Sequence, residues 1–173
     1  MPPVIVVMGV SGCGKTTVAS QLARLLGGEF VEGDAFHPIA NVEKMRAGIA
    51  LTDADRHDWL LALAQRMRQA REQNQALALS CSALKRSYRD VLRAAVPDLQ
   101  LVHLVADFDV IAQRMAQRPG HYMPASLLQS QFAALEAPDT DENAWVMSAT
   151  QTASDIVQLL GQRLQSSTSE THP

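Results

Sequence analysis

The chain has 173 residues, 47% of them hydrophobic, which suits one domain with its own core and leaves little for a second. Lys plus Arg number 15 against 18 Asp plus Glu, and a net charge of -3 argues against a nucleic-acid binder with a basic face. No run of about 18 apolar residues suggests a membrane span. The start, Met1-Pro2-Pro3-Val4, lacks the charged and apolar regions of a signal peptide. Cys13 and Cys81 show no metal-ligand spacing, so free thiols and a cytoplasmic location are expected.

In chain order, Val4-Ile5-Val6-Val7-Met8 is a continuous apolar run and reads as a strand buried on both faces. A helix is predicted over 16–26, with Val18, Leu22, Leu25 and Leu26 at helical spacing and Gly27-Gly28 as its stop. Further strands are predicted at 30–31, 77–79, 101–105 and 145–147. Helices are predicted at 59–71, 86–95, 110–117, 126–135 and 154–164. Alternating strands and helices imply an α/β fold whose parallel sheet is covered on both faces by right-handed crossovers. Residues 1–164 are expected to form a single domain, and the polar residues 165–173 a disordered tail.

Between the first strand and helix, Gly9-Val10-Ser11-Gly12-Cys13-Gly14-Lys15-Thr16 matches G-x-x-x-x-G-K-[ST] at every fixed position. Glycines let successive N–H groups point inward as an anion cradle, and the following helix turns its positive end to the same place. Lys15 adds a point charge for β- and γ-phosphates, and the Thr16 hydroxyl suits Mg²⁺. The motif does not name a substrate.

Ligands of parallel sheets collect beyond the carboxyl ends of the strands, which makes the polar residues there informative. Asp34 follows the second strand and suits either of two roles, accepting the proton of an attacking hydroxyl or holding the metal through water. His37 shares that turn. Asp55 is expected to cap the long helix, and Arg56 behind it is a poor partner for a positive helix end, which suggests a grip on an anionic substrate or a salt bridge to Asp53. Lys85, Arg86, Arg89 and Arg93 share much of one helical face. Arg93 is expected to be solvated there, while Lys85 and Arg86 lie nearer the strand end as site candidates. Arg114 and Arg118, four residues apart beside Pro119-Gly120-His121-Tyr122-Met123-Pro124, suit a lid over about 114–131 that closes on ATP.

Taken in order, these segments resemble the gluconate kinase family, relatives of shikimate kinase within the nucleoside-monophosphate-kinase-like group. The likeness is carried by Gly9 to Thr17, Gly33-Asp34-Ala35-Phe36-His37-Pro38-Ile39-Ala40-Asn41, Lys44-Met45, Leu51 to Arg56 and Trp59-Leu60. It continues in Cys81-Ser82-Ala83-Leu84-Lys85-Arg86-Ser87-Tyr88-Arg89-Asp90, Arg118 to Pro124 and Ser130-Gln131-Phe132 through Leu135-Glu136. The resemblance implies a three-layer P-loop NTPase fold with a five-stranded parallel sheet and a helical lid. It also implies transfer of the ATP γ-phosphate to the terminal hydroxyl of D-gluconate, and commonly a homodimer.

By that likeness ATP contacts fall to Gly9, Val10, Ser11, Gly12, Cys13, Gly14, Lys15, Thr16, Thr17, Arg114 and Arg118. Substrate contacts fall to Asp34, His37, Lys44, Arg56, Ser82, Arg86, His121 and Gln131. Catalysis is assigned to Lys15, Asp34 and Arg118, and Mg²⁺ to Thr16 and Asp34. The chain departs from the family pattern at Glu32, Cys13 and His57-Asp58, and Glu32 leaves open whether that carboxylate helps position the metal. A kinase for another small hydroxy acid such as shikimate, and a nucleotide-dependent switch, are the competing readings.

Overall fold

Five short apolar segments pair side by side, all parallel, in the order β2-β3-β1-β4-β5. The computed structural model describes residues 1–118 and 124–169. Its strands are β1 (Val4–Met8), β2 (Glu29–Glu32), β3 (Leu77–Ser80), β4 (Gln100–Val105) and β5 (Trp145–Ser148). Its α-helices are α1 (Lys15–Leu25), α2 (Ile39–Arg46), α3 (Asp53–Glu72), α4 (Arg86–Ala95), α5 (Phe108–Ala116), α6 (Ala125–Ala134) and α7 (Ala153–Ser169). The expected α/β architecture is therefore present, with each predicted strand in its place.

Val4 through Met8 are at most 1% exposed, because β1 is central and helices cover both of its faces. The strand order reverses direction around β1, whose neighbours are β3 and β4. That switch point opens a crevice beyond the strand ends, and the glycine-rich loop leaves β1 into it.

Three elements differ from the sequence expectation. Helix α2 forms where no helix is expected, since only Asn41 is buried in it and its apolar period is weak. Helix α3 begins at Asp53 rather than near Trp59. Its cap is Thr52, not Asp55: Asp55 N–H donates to Thr52 Oγ1 at 3.1 Å, while Thr52 N–H donates to Asp55 Oδ2 at 2.9 Å. Helix α7 runs to Ser169, so residues 165–169 of the expected tail are helical, with Ser166 and Ser169 hydroxyls bonded to carbonyls four residues back.

The charged face expected on α4 is only partly solvated. Arg89 is 1% exposed; its Nε and Nη2 donate to Glu142 at 2.7 and 2.9 Å, and its Nη1 to the carbonyls of Ala83 and Leu84. Arg93 joins the same carboxylate at 3.0 Å instead of standing free in solvent. This buried group pins the turn after β3, where Ala83 holds a left-handed φ of 44° that an alanine adopts only when its surroundings demand it.

Candidate active site

The glycine-rich loop takes up the backbone its spacing calls for. Gly9, Gly12 and Gly14 have φ of 149°, 80° and 94°, and a Cβ on Gly9 would stand 2.8 Å from the carbonyl oxygen of Leu104. Helix α1 begins at Lys15, so its free amides face the loop's interior. Lys15 Nζ donates to the Val10 carbonyl at 2.8 Å and spans the loop's mouth. The Ser11 amide donates to Gln131 Oε1 at 2.7 Å, joining α6 to the loop. Val10 and Cys13 are buried, so side chains at these positions support the loop and leave its amides to serve the cradle. Thr17 is exposed beside it.

Glu32, at the end of β2, ties the two sides together. Its Oε2 accepts from Thr16 Oγ1 at 2.6 Å, and its Oε1 from Ser80 Oγ at 2.9 Å and from the Asp34 amide at 3.4 Å. Directly after it, Gly33 packs so closely that a Cβ would lie 2.1 Å from the Ser80 carbonyl oxygen, so only glycine brings β2 into this turn. The turn, Gly33–Phe36, then presents Asp34 with its side chain 74% exposed. Thr16 and Glu32, with Asp34 beside them, supply oxygen donors alone, a set that fits Mg²⁺. Among the described residues no group of three His, Cys, Asp or Glu could hold a metal ion.

Opposite the loop, one cleft is lined by Ser11, Lys15, Asp34, His37, Arg56, Ser82 and Gln131, with Met45, Leu51, Trp59, Leu127 and Ser130. His37 stacks on Trp59 with ring centres 4.1 Å apart, and the indole N–H donates to the Gly33 carbonyl at 2.7 Å. Burial pushes the His37 imidazole below its ordinary range; Asp34 opposes that and Arg56 adds to it, so the ring is neutral at neutral pH. Arg56 donates through Nη1 to the Leu51 carbonyl at 2.8 Å and to the Tyr88 hydroxyl at 3.1 Å. No direct pair with Asp53 forms; Tyr88 stands between, donating to Asp53, which Lys85 also reaches at 3.0 Å.

Several expected site residues face elsewhere. Lys44 is bound to Asp55, with Nζ 2.9 Å from both carboxylate oxygens, and that bond together with Thr52 holds Asp55 at about 2. Arg86 is turned to Asp139 and Asp141 at 2.9 and 2.6 Å. Arg114 Nη2 donates to the Ala149 carbonyl at 2.5 Å, and Arg118 is exposed just past α5. His121 lies outside the described residues. Burial pushes the Cys81 thiol up to about 12, which makes it an inert core group.

Sequence reasoning had no role for Tyr88 or Glu142, and none for Asn41, which is 4% exposed between α2 and α3. A polar residue in a short helix gives no periodic signal, and only its contacts mark it.

A family described as an AAA domain matches residues 4–138. The chain is 52% identical to the gluconokinase of Gluconobacter oxydans over 141 residues, covering 82% of this chain and 79% of that one. Among solved structures, a sugar kinase from a Janibacter species superposes with a TM-score of 0.90 at 45% identity, covering 95% of each chain. A gluconokinase from Sinorhizobium meliloti superposes with a TM-score of 0.87 at 42% identity, covering 99% of this chain and 98% of that one.

Proposed function

The chain belongs to the gluconokinase family, and we infer from that membership and from the cleft that it transfers the γ-phosphoryl group of ATP to D-gluconate, giving 6-phospho-D-gluconate and ADP. One observation carries the reading: Ser11 and Lys15 of the phosphate loop line the same cleft as Asp34, His37 and Arg56. A phosphoryl donor site and an acid-binding wall meet there.

Phosphoryl transfer asks the protein mainly to position two reactants and to stabilise charge. The loop amides and Lys15 hold the β- and γ-phosphates. Arg56, with Nη1 anchored, keeps the rest of its planar fork for a carboxylate. Asp34 takes the proton of the terminal hydroxyl as its oxygen bonds to the γ-phosphorus and the bond to ADP breaks. Thr16 and Glu32, with Asp34 through water, would hold Mg²⁺, which when bound neutralises phosphate charge. Lys44 and Arg86 are paired with carboxylates and lie outside the lining of the cleft, so their substrate roles come after a rearrangement. Ser82 and Gln131 contribute polar groups from β3's end and from α6. Segment 114–131 serves as the lid, with Arg114 and Arg118 for the nucleotide and His121 for the substrate.

A single domain, a homodimer and a cytoplasmic location complete the reading. The domain is supported by one continuous sheet, the dimer by family resemblance, and the location by the free, buried cysteines. No helix among the described residues is long and apolar enough to cross a membrane.

The test is coupled ADP release measured with gluconate, other sugar acids, shikimate and nucleoside monophosphates. Gluconate is expected to be turned over with the highest kcat/KM. Turnover of shikimate or a nucleotide in its place would overturn the assignment, and ATP hydrolysis indifferent to every acceptor would favour a switch.

A further inference from the structure

A neutral histidine has one proton for two ring nitrogens, and the neighbouring groups decide which nitrogen carries it. For His37 that neighbour is Asn41. The Asn41 side-chain amide lies 2.8 Å from the main-chain carbonyl oxygen of Asp55. A carbonyl only accepts, so the atom facing it is the NH₂ group. The same nitrogen lies 3.3 Å from His37 Nδ1. An amide NH₂ only donates, so Nδ1 must accept and is therefore without a proton. The proton sits on Nε2, the edge of the ring that faces Asp34, 4.0 Å from Oδ1.

The ring is also held in its plane. Trp59 stacks on it with an interplanar angle of 16°, and the indole is itself fixed to Gly33. Turning the imidazole over would replace Nδ1 by a carbon at Asn41 and forfeit that hydrogen bond.

We propose that Asn41 is a positioning residue that locks His37 as an Nε2–H donor to a hydroxyl of the acceptor substrate, leaving Asp34 as the proton acceptor of that wall. The proposal rests on the assignment of the cleft to a polyhydroxy acid, whose hydroxyl oxygens accept such a donor. With its one lone pair spent on Asn41, His37 cannot take the proton of the attacking hydroxyl. It reads the position of a hydroxyl, and Asp34 deprotonates.

Long-range ¹H–¹⁵N NMR of ¹⁵N-labelled protein at about pH 8, where imidazoles are mostly neutral, reports the tautomer directly. His37 is assigned by the signal lost in His37→Gln. The Nε2–H pattern is expected, and an Nδ1–H pattern would overturn the proposal. Asn41→Ala should replace the single pattern by a mixture of tautomers; an unchanged pattern means Asn41 does not set it. Kinetics give a second arm that does not need the Asn41 variant to fold. The amide nitrogen of Gln can reach where Nε2 stood, whereas that of Asn reaches only the Nδ1 position. His37→Asn should therefore lose about ten-fold more kcat/KM for gluconate than His37→Gln, the value of roughly one hydrogen bond. Equal losses would end the substrate role. If wild-type protein failed to phosphorylate gluconate, the functional reading would fail while the tautomer spectrum still stood.

Discussion

The two walls of the cleft face each other across the transferring group but are assembled differently. The donor wall is contiguous, running from Gly9 to Thr16, and its working groups are mainly backbone amides set by three positive-φ glycines and a helix start. The acceptor wall takes Asp34 from the turn after β2, Arg56 from α3, Ser82 from the end of β3 and Gln131 from α6. Its side chains are aimed by other side chains: Asn41 behind His37, Tyr88 and Leu51 behind Arg56, Arg89 behind the turn carrying Ser82. A backbone cradle accepts any nucleotide's phosphates. A wall of supported side chains can be retuned one support at a time, so acceptor selectivity should reside there.

Five measurements would break or sharpen that contrast. Lys15→Ala removes a preorganised charge from the donor wall, and kcat should fall by about 10²–10³-fold. A loss below ten-fold would deny Lys15 its part in the transfer. Arg89→Ala takes from the buried Glu142 its two-point partner and leaves it Arg93 on one oxygen, and should cost roughly 3–5 kcal/mol in denaturant unfolding. A cost under about 1 kcal/mol would mean that the buried pair does not support the acceptor wall.

The same pair sets an acid dependence. Arg89 foremost holds Glu142 at about 2, below the value near 4.3 expected in an unfolded chain. Stability from this group is therefore complete above about pH 4.5 and is lost as pH falls towards 2. Glu142→Gln should flatten that window of the stability profile, and an unchanged profile would place the acid sensitivity elsewhere.

On the acceptor side, Arg56→Ala should raise KM for gluconate by about 10–100-fold, the cost of losing a charged hydrogen-bonding partner, with KM for ATP unchanged. A rise for ATP alone would move Arg56 to the donor wall. The smallest effect is expected at the cap of α3. Thr52→Ala removes the acceptor of the Asp55 amide and should lower stability by about 1 kcal/mol in thermal or chemical unfolding. No change would mean that the Lys44–Asp55 pair alone fixes this end of the helix.

Much of this was legible in the chain. Strands buried on both faces announce themselves as unbroken apolar runs, and all five were placed. Helix α2 was missed because it lies over the cleft with one buried residue, so no apolar stripe records it. Arg93 was misplaced for a related reason: spacing shows which residues share a helical face, but not that Glu142, 49 residues away, comes to meet it. Lys44 and Arg86 carry the right charge for an acid substrate, yet Asp55, Asp139 and Asp141 occupy them here.

By itself the sequence determined the parallel α/β architecture and the phosphate loop, because both depend on local patterns: burial of consecutive residues and backbone freedom at fixed glycines. Only the tertiary structure decided which charges face the cleft, which are neutralised by distant partners, and which nitrogen of His37 holds its proton. Those outcomes depend on atoms brought within about 3 Å by the packing of separate elements, and a donor or acceptor role is defined only when its partner arrives.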